Sequence, residues 1–205
     1  MKIHDKLLAS LTDMVCSLPV ITANRRKVTP FAEGVVLEPG MGSGLNLAHY
    51  DKDAVKAVIG VDPQEDLLKM ARRRAAQAAV PVEFLARSAE ELPLESGSID
   101  TVLLTYTGCS IPDVARALDE FRRVLKPSGR LLFCEHGRSH EPRVARFQDM
   151  ANSLWRPLAG GCHLNRDIAS LLQGAGFRME RCERFYAMAR PKFISYHYVG
   201  SARPG

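Results

Sequence analysis

The sequence of 205 residues has no run of about eighteen apolar residues, the length a bilayer-crossing helix needs. It has no C-x-x-C pair either. The five cysteines, Cys16, Cys109, Cys134, Cys162 and Cys182, are odd in number and widely spaced, so reduced thiols are expected rather than a disulfide framework. The N-terminus lacks a basic-then-apolar-then-small cleavage pattern, which makes a cytoplasmic protein the expectation. G-x-x-x-x-G-K-[ST] is also missing, and with it the phosphate-cradling loop of nucleotide hydrolases. Charge of one sign is only mildly in excess, at +5, in clusters such as Arg25-Arg26-Lys27, Arg72-Arg73-Arg74 and Arg178/Arg181/Arg184. Solvated helix faces accommodate most of it. The excess permits an acidic membrane surface without implying one, and no nucleic-acid partner is expected. No internal repeat or low-complexity linker appears. With 46% apolar residues, a chain of this length buries a core without metals or disulfides, and a single domain over residues 1–205 is predicted.

What is present is concentrated in residues 35–47, where an apolar strand runs into Glu38-x-Gly40-x-Gly42-x-Gly44 and then an expected helix. Glycine at these positions permits positive φ and lets a ligand approach bare backbone. Dinucleotide-binding turns use G-x-G-x-x-G, with a pyrophosphate facing the helix N-terminus. Here the spacing is G-x-G-x-G, and a carboxylate at Glu38 repels a pyrophosphate but suits an ammonium and a sulfonium. S-adenosylmethionine fits that description. The bland alternative is a tight strand-to-helix connection.

The next strand, residues 57–63, ends in Asp62-Pro63, about twenty residues past the glycines. An ionised carboxylate there is acceptor-only and has two oxygens for two ribose hydroxyls. The alternative for Asp62, compatible with the first, is to cap the helix that begins near Gln64. Strands and helices then alternate: a helix over 64–79 stopped by Pro81, strands over 82–87 and 99–105, a helix between Asp113 and Leu125, and a strand from Arg130 to Cys134. Val114, Ala117, Leu118, Phe121 and Val124 recur at helical spacing and give that helix one buried face. Such alternation predicts an α/β fold with a mostly parallel sheet, whose strand tips share one functional edge.

Three stretches together, Leu-Glu-Pro-Gly-Met-Gly-Ser-Gly, Gly-Val-Asp-Pro, and the run from Ser88 through Phe121-Arg-Arg-Val-Leu-Lys-Pro-Ser-Gly-Arg-Leu131, resemble the class I S-adenosylmethionine-dependent methyltransferases, closest to their quinone- and lipid-methylating branch. The resemblance covers residues 35–137. It implies a Rossmann-like, seven-stranded, mostly parallel sheet whose last two strands, at roughly 177–187 and 193–202, form an antiparallel pair. It places the methionine end of the cofactor near Glu38, Gly40, Gly42, Gly44 and Thr105, and the ribose on Asp62. The adenine would lie between Pro63 and Ser88-Ala89-Glu90, with Ser88 standing where relatives commonly have an aspartate. Residues 31–137 would form the cofactor core and 138–205 the substrate-side helices and final strands. A narrower resemblance, carried by Glu135-His136-Gly137, Trp155 and Gly161-Cys-His-Leu-Asn-Arg166, is to the methyltransferase-like protein 7 group, associated with thiol methylation and lipid surfaces.

Residues 1–30 read as a helical lid, with Ile3, Leu7, Leu8, Leu11, Met14, Val15 and Leu18 on one face and Asp5, Asp13 and Pro19 around it. Packing over the cofactor is preferred to membrane contact. His136, just past the fifth strand, is the leading candidate for a base, and a loop histidine partnered by Glu135 is the alternative. Tyr106 and Cys109 are candidates to line the transfer channel. Cys162, His163 and Arg166 are candidates to meet a thiolate or a lipid phosphate, unless Asn165 caps a helix through Ile168, Leu171 and Leu172 and leaves Arg166 solvated. The exit Thr105-Tyr106-Thr107-Gly108 is not the Asn/Asp-Pro-Pro-aromatic turn of base-amino methyltransferases. His136 and His140 with Glu135 and Glu141 have metal-ligand spacing only on a helix, and Gly137 and Pro142 indicate a loop, so no metal is expected.

The expected activity is methyl transfer to a small hydrophobic or thiol-bearing acceptor. A phospholipid amine or a quinol is the alternative, and a nicotinamide oxidoreductase or a catalytically silent cofactor-binding module the remaining classes. Peripheral membrane contact stays open, and so does the oligomeric state.

Overall fold

The computed structural model describes residues 3–205, with side-chain surroundings from Leu7 onward, so the side chains of Ile3 and Asp5 lie outside the described residues. A seven-stranded sheet organises the chain. Its strands are β1 (Gly34–Pro39), β2 (Val55–Val61), β3 (Val82–Leu85), β4 (Ile99–Thr105), β5 (Leu125–His136), β6 (Phe177–Tyr186) and β7 (Tyr196–Pro204), in the order β3-β2-β1-β4-β5-β7-β6. β1, β2, β3, β4 and β5 pair in parallel, while β7 inserts antiparallel between β5 and β6. The strand order reverses beside β1 and β4, which opens a crevice at their C-terminal tips.

Helices α1 (Ile3–Cys16), α2 (Pro19–Arg25), α3 (Glu65–Ala75), α4 (Val114–Val124), α5 (Pro142–Leu158), α6 (Ile168–Gly174) and α7 (Lys192–Ser195) complete the fold. Successive strand residues point to opposite faces. Leu37, Leu104, Leu131 and Phe133 therefore join a core with Leu118 and Phe121 of α4 and Leu172 of α6. Their neighbours Val36, Leu103, Leu132 and Cys134 join a second core with Ala71 of α3. The central strands thus carry a core on each face, as βαβ crossovers require, while β6 at the edge is largely exposed. The expected face of α4 is buried at Ala117, Leu118, Phe121 and Val124, and Asp113 caps the helix by accepting from Arg116 N–H.

Several local expectations need correction. No α-helix follows the glycines: Gly40, Gly42 and Gly44 are all left-handed, and the chain continues into one short 3-10 turn, Leu47–His49. α3 stops at Ala75, short of residue 79, and β3 ends at Leu85. β7 starts at Tyr196, because residues 192–195 form α7. The expected N-terminal helices, α1 and α2, are present, but their apolar side faces outward, with Leu7, Leu11, Met14, Val15 and Leu18 all exposed. α1 is fastened by polar groups instead, since Asp13 accepts from Ser43 Oγ at 2.5 Å and pairs with Arg74 of α3 at 2.9 Å. Arg25 is no solvated cation; it is 6% exposed.

Candidate active site

The three glycines of the β1 exit do different jobs. A Cβ at Gly40 would overlap the Thr107 side chain, so this glycine lets the β4 exit close on the β1 exit. Gly44 makes room for Leu47 and Ala71. Gly42, at φ +59°, would place a Cβ with nothing nearer than 3.8 Å. Its freedom therefore serves the backbone turn and leaves a bare concavity. Asp62 at the β2 tip closes the same loop, accepting from Gly42 N–H at 3.0 Å and from Gln64 N–H at 2.8 Å. Burial pushes its carboxyl up, and those two amides oppose the shift. Each oxygen keeps a lone pair for a further donor.

Glu38 is 2% exposed and does not present a vacant carboxylate, because Asn46 Nδ2 donates to it at 2.8 Å and Tyr50 Oη at 2.6 Å. Burial raises its pKa against those donors and the nearby Arg25 charge. Arg25 donates to Thr105 Oγ1 at 2.8 Å and to Asn46 Oδ1 at 3.2 Å. Thr105 is thus the hub between α2 and the β1 exit. Arg25, Asn46 and Tyr50 were not singled out in the sequence. Asn46 lies two residues past the glycines, but Arg25 sits in a basic triplet that looks solvated.

On the other side of Asp62, Pro63 is exposed, and Ala89 is packed into the core beside Leu92. Ser88 Oγ donates to Glu90 at 2.7 Å, and Glu90 accepts from Asp113 N–H at 2.6 Å. These bonds brace the segment expected to flank the adenine.

At the tips of β4 and β5, Glu135 is fully buried and collects the backbone N–H groups of Thr107 at 2.7 Å, Gly108 at 3.0 Å and Cys109 at 3.3 Å. It is the anchor of this loop and not the partner of His136. The anchored loop holds Tyr106 at φ 54°, a conformation costing about 1–2 kcal/mol for a non-glycine residue. The partner of His136 is Cys162, with Nε2 to Sγ at 2.9 Å. Cys109 joins them, and the three ligand-type atoms lie within 4.8 Å of one another. The hydrogen bond from Cys109 and the facing His136 lower the Cys162 thiol against burial. Burial works to lower His136, but the Cys162 charge and hydrogen bond outweigh it.

His163 and Arg166 stand beside this cluster and outside it. His163 N–H donates to Cys109 O at 2.8 Å while its ring turns toward Asn152. Arg166 Nη1 donates to Gly108 O at 2.5 Å, so it braces the loop. Asn165 does not cap α6; Asp167 does, accepting from Ser170 N–H, while Asn165 donates to Asp149. His140 packs against Tyr186 and Tyr196, away from His136.

Among the described residues, the buried side-chain polar atoms without a partner are Asn24 Nδ2, Arg25 Nε, Tyr106 Oη, His136 Nδ1 and Trp155 Nε1. They fall along one edge. The Arg25 guanidinium lies 5.0 Å from the Tyr106 ring, which meets His197 edge-on, and Trp155 borders Cys162 next to His136. An unpaired buried polar group costs about 1–3 kcal/mol, so such a row marks where a polar ligand belongs. The concavity at Gly42, the Asp62 carboxylate and this row fit S-adenosylmethionine. An open depression of about 350 Å³, lined by Ser153, Arg156, Pro157 and Gly161, adjoins Cys162.

Residues 37–133 match a family described as methyltransferase domain. The chain is 33% identical over 128 residues to demethylmenaquinone methyltransferase of Clavibacter sepedonicus, covering 62% of this chain and 51% of that protein. It is 30% identical over 172 residues to thiol S-methyltransferase TMT1B of Homo sapiens, covering 82% of this chain and 69% of that protein. The chain thus spans about half the length of the first of these relatives. A solved SAM-dependent methyltransferase of Thermotoga maritima superposes with a TM-score of 0.64 at 21% identity, over 90% of this chain and 89% of that one.

Proposed function

Because the chain belongs to the class I S-adenosylmethionine-dependent methyltransferases, we propose that it methylates a small hydrophobic thiol. The observation that carries the acceptor class is the meeting of Cys109, His136 and Cys162 at the tips of β4 and β5, against the loop that packs on the glycine turn. The thiol-methylating relative adds support.

S-adenosylmethionine, when bound, supplies a methyl group on a sulfonium. Gly42 and Asp62 are the residues to hold its ribose side, and the lid with Arg25 closes over the methionine side. Transfer is an in-line displacement, so positioning supplies much of the rate. Thr107 Oγ1 donates to Gly40 O at 3.2 Å and thereby ties the acceptor loop to the cofactor loop. A thiol with pKa about 8.5 is already partly ionised near neutrality, so the polar His136–Cys162 pair need only hold the thiolate in place. Tyr106 walls the channel.

The test is S-adenosylhomocysteine release against alkyl and aryl thiols, phenols, quinols and phosphatidylethanolamine vesicles. Turnover with thiols, lost in His136→Ala with cofactor affinity retained, supports the reading. Turnover on phenols or vesicles alone would overturn it.

A second reading concerns location. Among the described residues no single helix is long and apolar enough to cross a membrane. α5 nevertheless exposes Phe147, Met150, Leu154 and Leu158 on one stripe, and α1 exposes Leu7, Leu11, Met14, Val15 and Leu18. Such stripes suit an otherwise cytoplasmic protein lying on a lipid surface, where hydrophobic thiols concentrate. Flotation with vesicles checks this directly.

A further inference from the structure

We propose that Cys109, His136 and Cys162 bind a zinc ion whose remaining coordination position takes the sulfur of the acceptor.

The three donors come from separate parts of the chain: the loop after β4, the last residue of β5, and the loop between α5 and α6. Backbone hydrogen bonds and close contacts tie the three segments together. Cys109 is 3% exposed, its N–H held by Glu135 and its carbonyl by His163 N–H. His136 lies in register with His197 of β7, and the next residue, Gly137, donates to Tyr196 O at 3.0 Å. A Cβ on Gly137 would overlap Arg166 O, so the strand exit and the Cys162 loop are in direct contact. On the far side, Leu164 N–H donates to Asn152 of α5 at 2.9 Å, and Gln148, fully buried, donates to Gly137 O and to Phe193 O. Preorganised loops of this kind bring ligands together before any ion arrives.

The donor set selects the ion. Two thiolates and one imidazole are borderline-soft and suit zinc, whose catalytic sites keep three protein ligands and one open position. The neighbouring carboxylate, Glu135, is occupied by three backbone amides, so no oxygen donor competes to favour magnesium or calcium. Trp155 Nε1, a buried donor without a partner, borders the Cys162 sulfur and is placed to donate to it once that sulfur is a metal-bound thiolate. An open depression lies next to this loop at Gly161, the residue before Cys162.

The balance is simple. Binding releases the two S–H protons of Cys109 and Cys162 to solvent, leaving a site with no net charge. An acceptor thiol loses its proton to solvent as its sulfur takes the open position. Methyl transfer then forms the new S–C bond and breaks the sulfonium C–S bond of S-adenosylmethionine, and the neutral thioether leaves as a poor ligand. This acceptor step rests on the thiol reading above; the metal site itself does not.

The full chain, purified without a histidine tag, is tested first for zinc by elemental analysis, where about one ion per chain is expected. After chelation, cobalt(II) replaces zinc, and thiolate-to-cobalt charge transfer with intense d–d bands reports a tetrahedral sulfur site. Cys109→Ser, Cys162→Ser and His136→Gln should each lower zinc content at least about tenfold, with S-adenosylhomocysteine affinity and thermal unfolding checking that each variant is folded. If a variant fails to fold, thiol accessibility of the wild-type chain with and without zinc replaces it, and protection of Cys109 and Cys162 is expected. Adding an alkyl thiol should shift the cobalt bands. Absence of stoichiometric metal, or recovery of Cys109 and Cys162 as a disulfide that zinc does not prevent, overturns the proposal. Metal binding with bands that no thiol shifts overturns the acceptor step alone. Thiol turnover that survives complete zinc removal does the same and leaves the methyltransferase reading standing.

Discussion

Arg25 of α2 reaches Thr105 at the tip of β4 with a hydrogen bond of 2.8 Å, through a buried network that also holds Asn46, Glu38 and Tyr50. α2 is therefore joined to the exits of β1 and β4 by buried hydrogen bonds and not by an apolar face. Arg25→Met should leave Thr105 and Asn46 without this buried donor and destabilise the fold by roughly 2 kcal/mol. Urea unfolding measures the loss. S-adenosylhomocysteine affinity, read by calorimetry, should fall as well, and unchanged affinity would separate the lid from the cofactor site.

Gly42 and Asp62 share one hydrogen bond but are expected to fail differently. Asp62→Ala removes the carboxylate assigned to the ribose and should weaken S-adenosylhomocysteine binding more than about tenfold, or about 1.4 kcal/mol. Gly42→Ala meets no protein atom closer than 3.8 Å, so its folding cost is the left-handed strain of about 1–2 kcal/mol. Its added methyl projects into the concavity and should cost affinity beyond that strain. Calorimetric titration of both variants decides; an Asp62→Ala chain that binds normally would remove it from the ribose site.

Glu135 acts through the loop it holds. Glu135→Gln keeps one acceptor oxygen but loses the charge on three amide bonds, a destabilisation of about 2 kcal/mol. Turnover should drop while cofactor affinity stays, with kcat falling more than KM rises, since the loop carrying Tyr106 and Cys109 loses its geometry. A change confined to thermal stability would make Glu135 purely structural.

His197 gives the fold a pH dependence. Burial, opposed by a hydrogen bond to the Ser195 carbonyl, takes its pKa down to about 4, below the ordinary value of 6.5. The unfolded chain protonates first on acidification, so stability is intact above pH 6.5 and falls as pH drops from 6.5 toward 4, by about 3 kcal/mol in total. Replacing it in His197→Phe should flatten this part of the profile. Denaturation midpoints measured at pH 7 and pH 4.5 test both statements.

The α4 face, from Ala117 to Val124, and the strands were legible because they rest on local periodicity: 3.6 along a helix and 2 along a strand. The glycine turn was legible for the same reason, since left-handed residues at Gly40, Gly42 and Gly44 are a local steric requirement. The helix expected after that turn was not there, because the same left-handed residues that admit a ligand also interrupt helical hydrogen bonding. The outward face of α1 was misread because amphipathic spacing tells that a face is apolar and not what covers it.

The sequence by itself determined the strands of the sheet, the left-handed glycine turn and the acid at the β2 tip, each a property of a few adjacent residues. The tertiary structure alone decided that Cys109, His136 and Cys162 meet, that Arg25 is buried, and that Glu135 serves backbone amides and not His136. Those relations depend on β7 inserting beside β5 and on the path of the loop between α5 and α6. Contacts between residues so far apart are selected by packing of the whole core, for which no local propensity carries a signal.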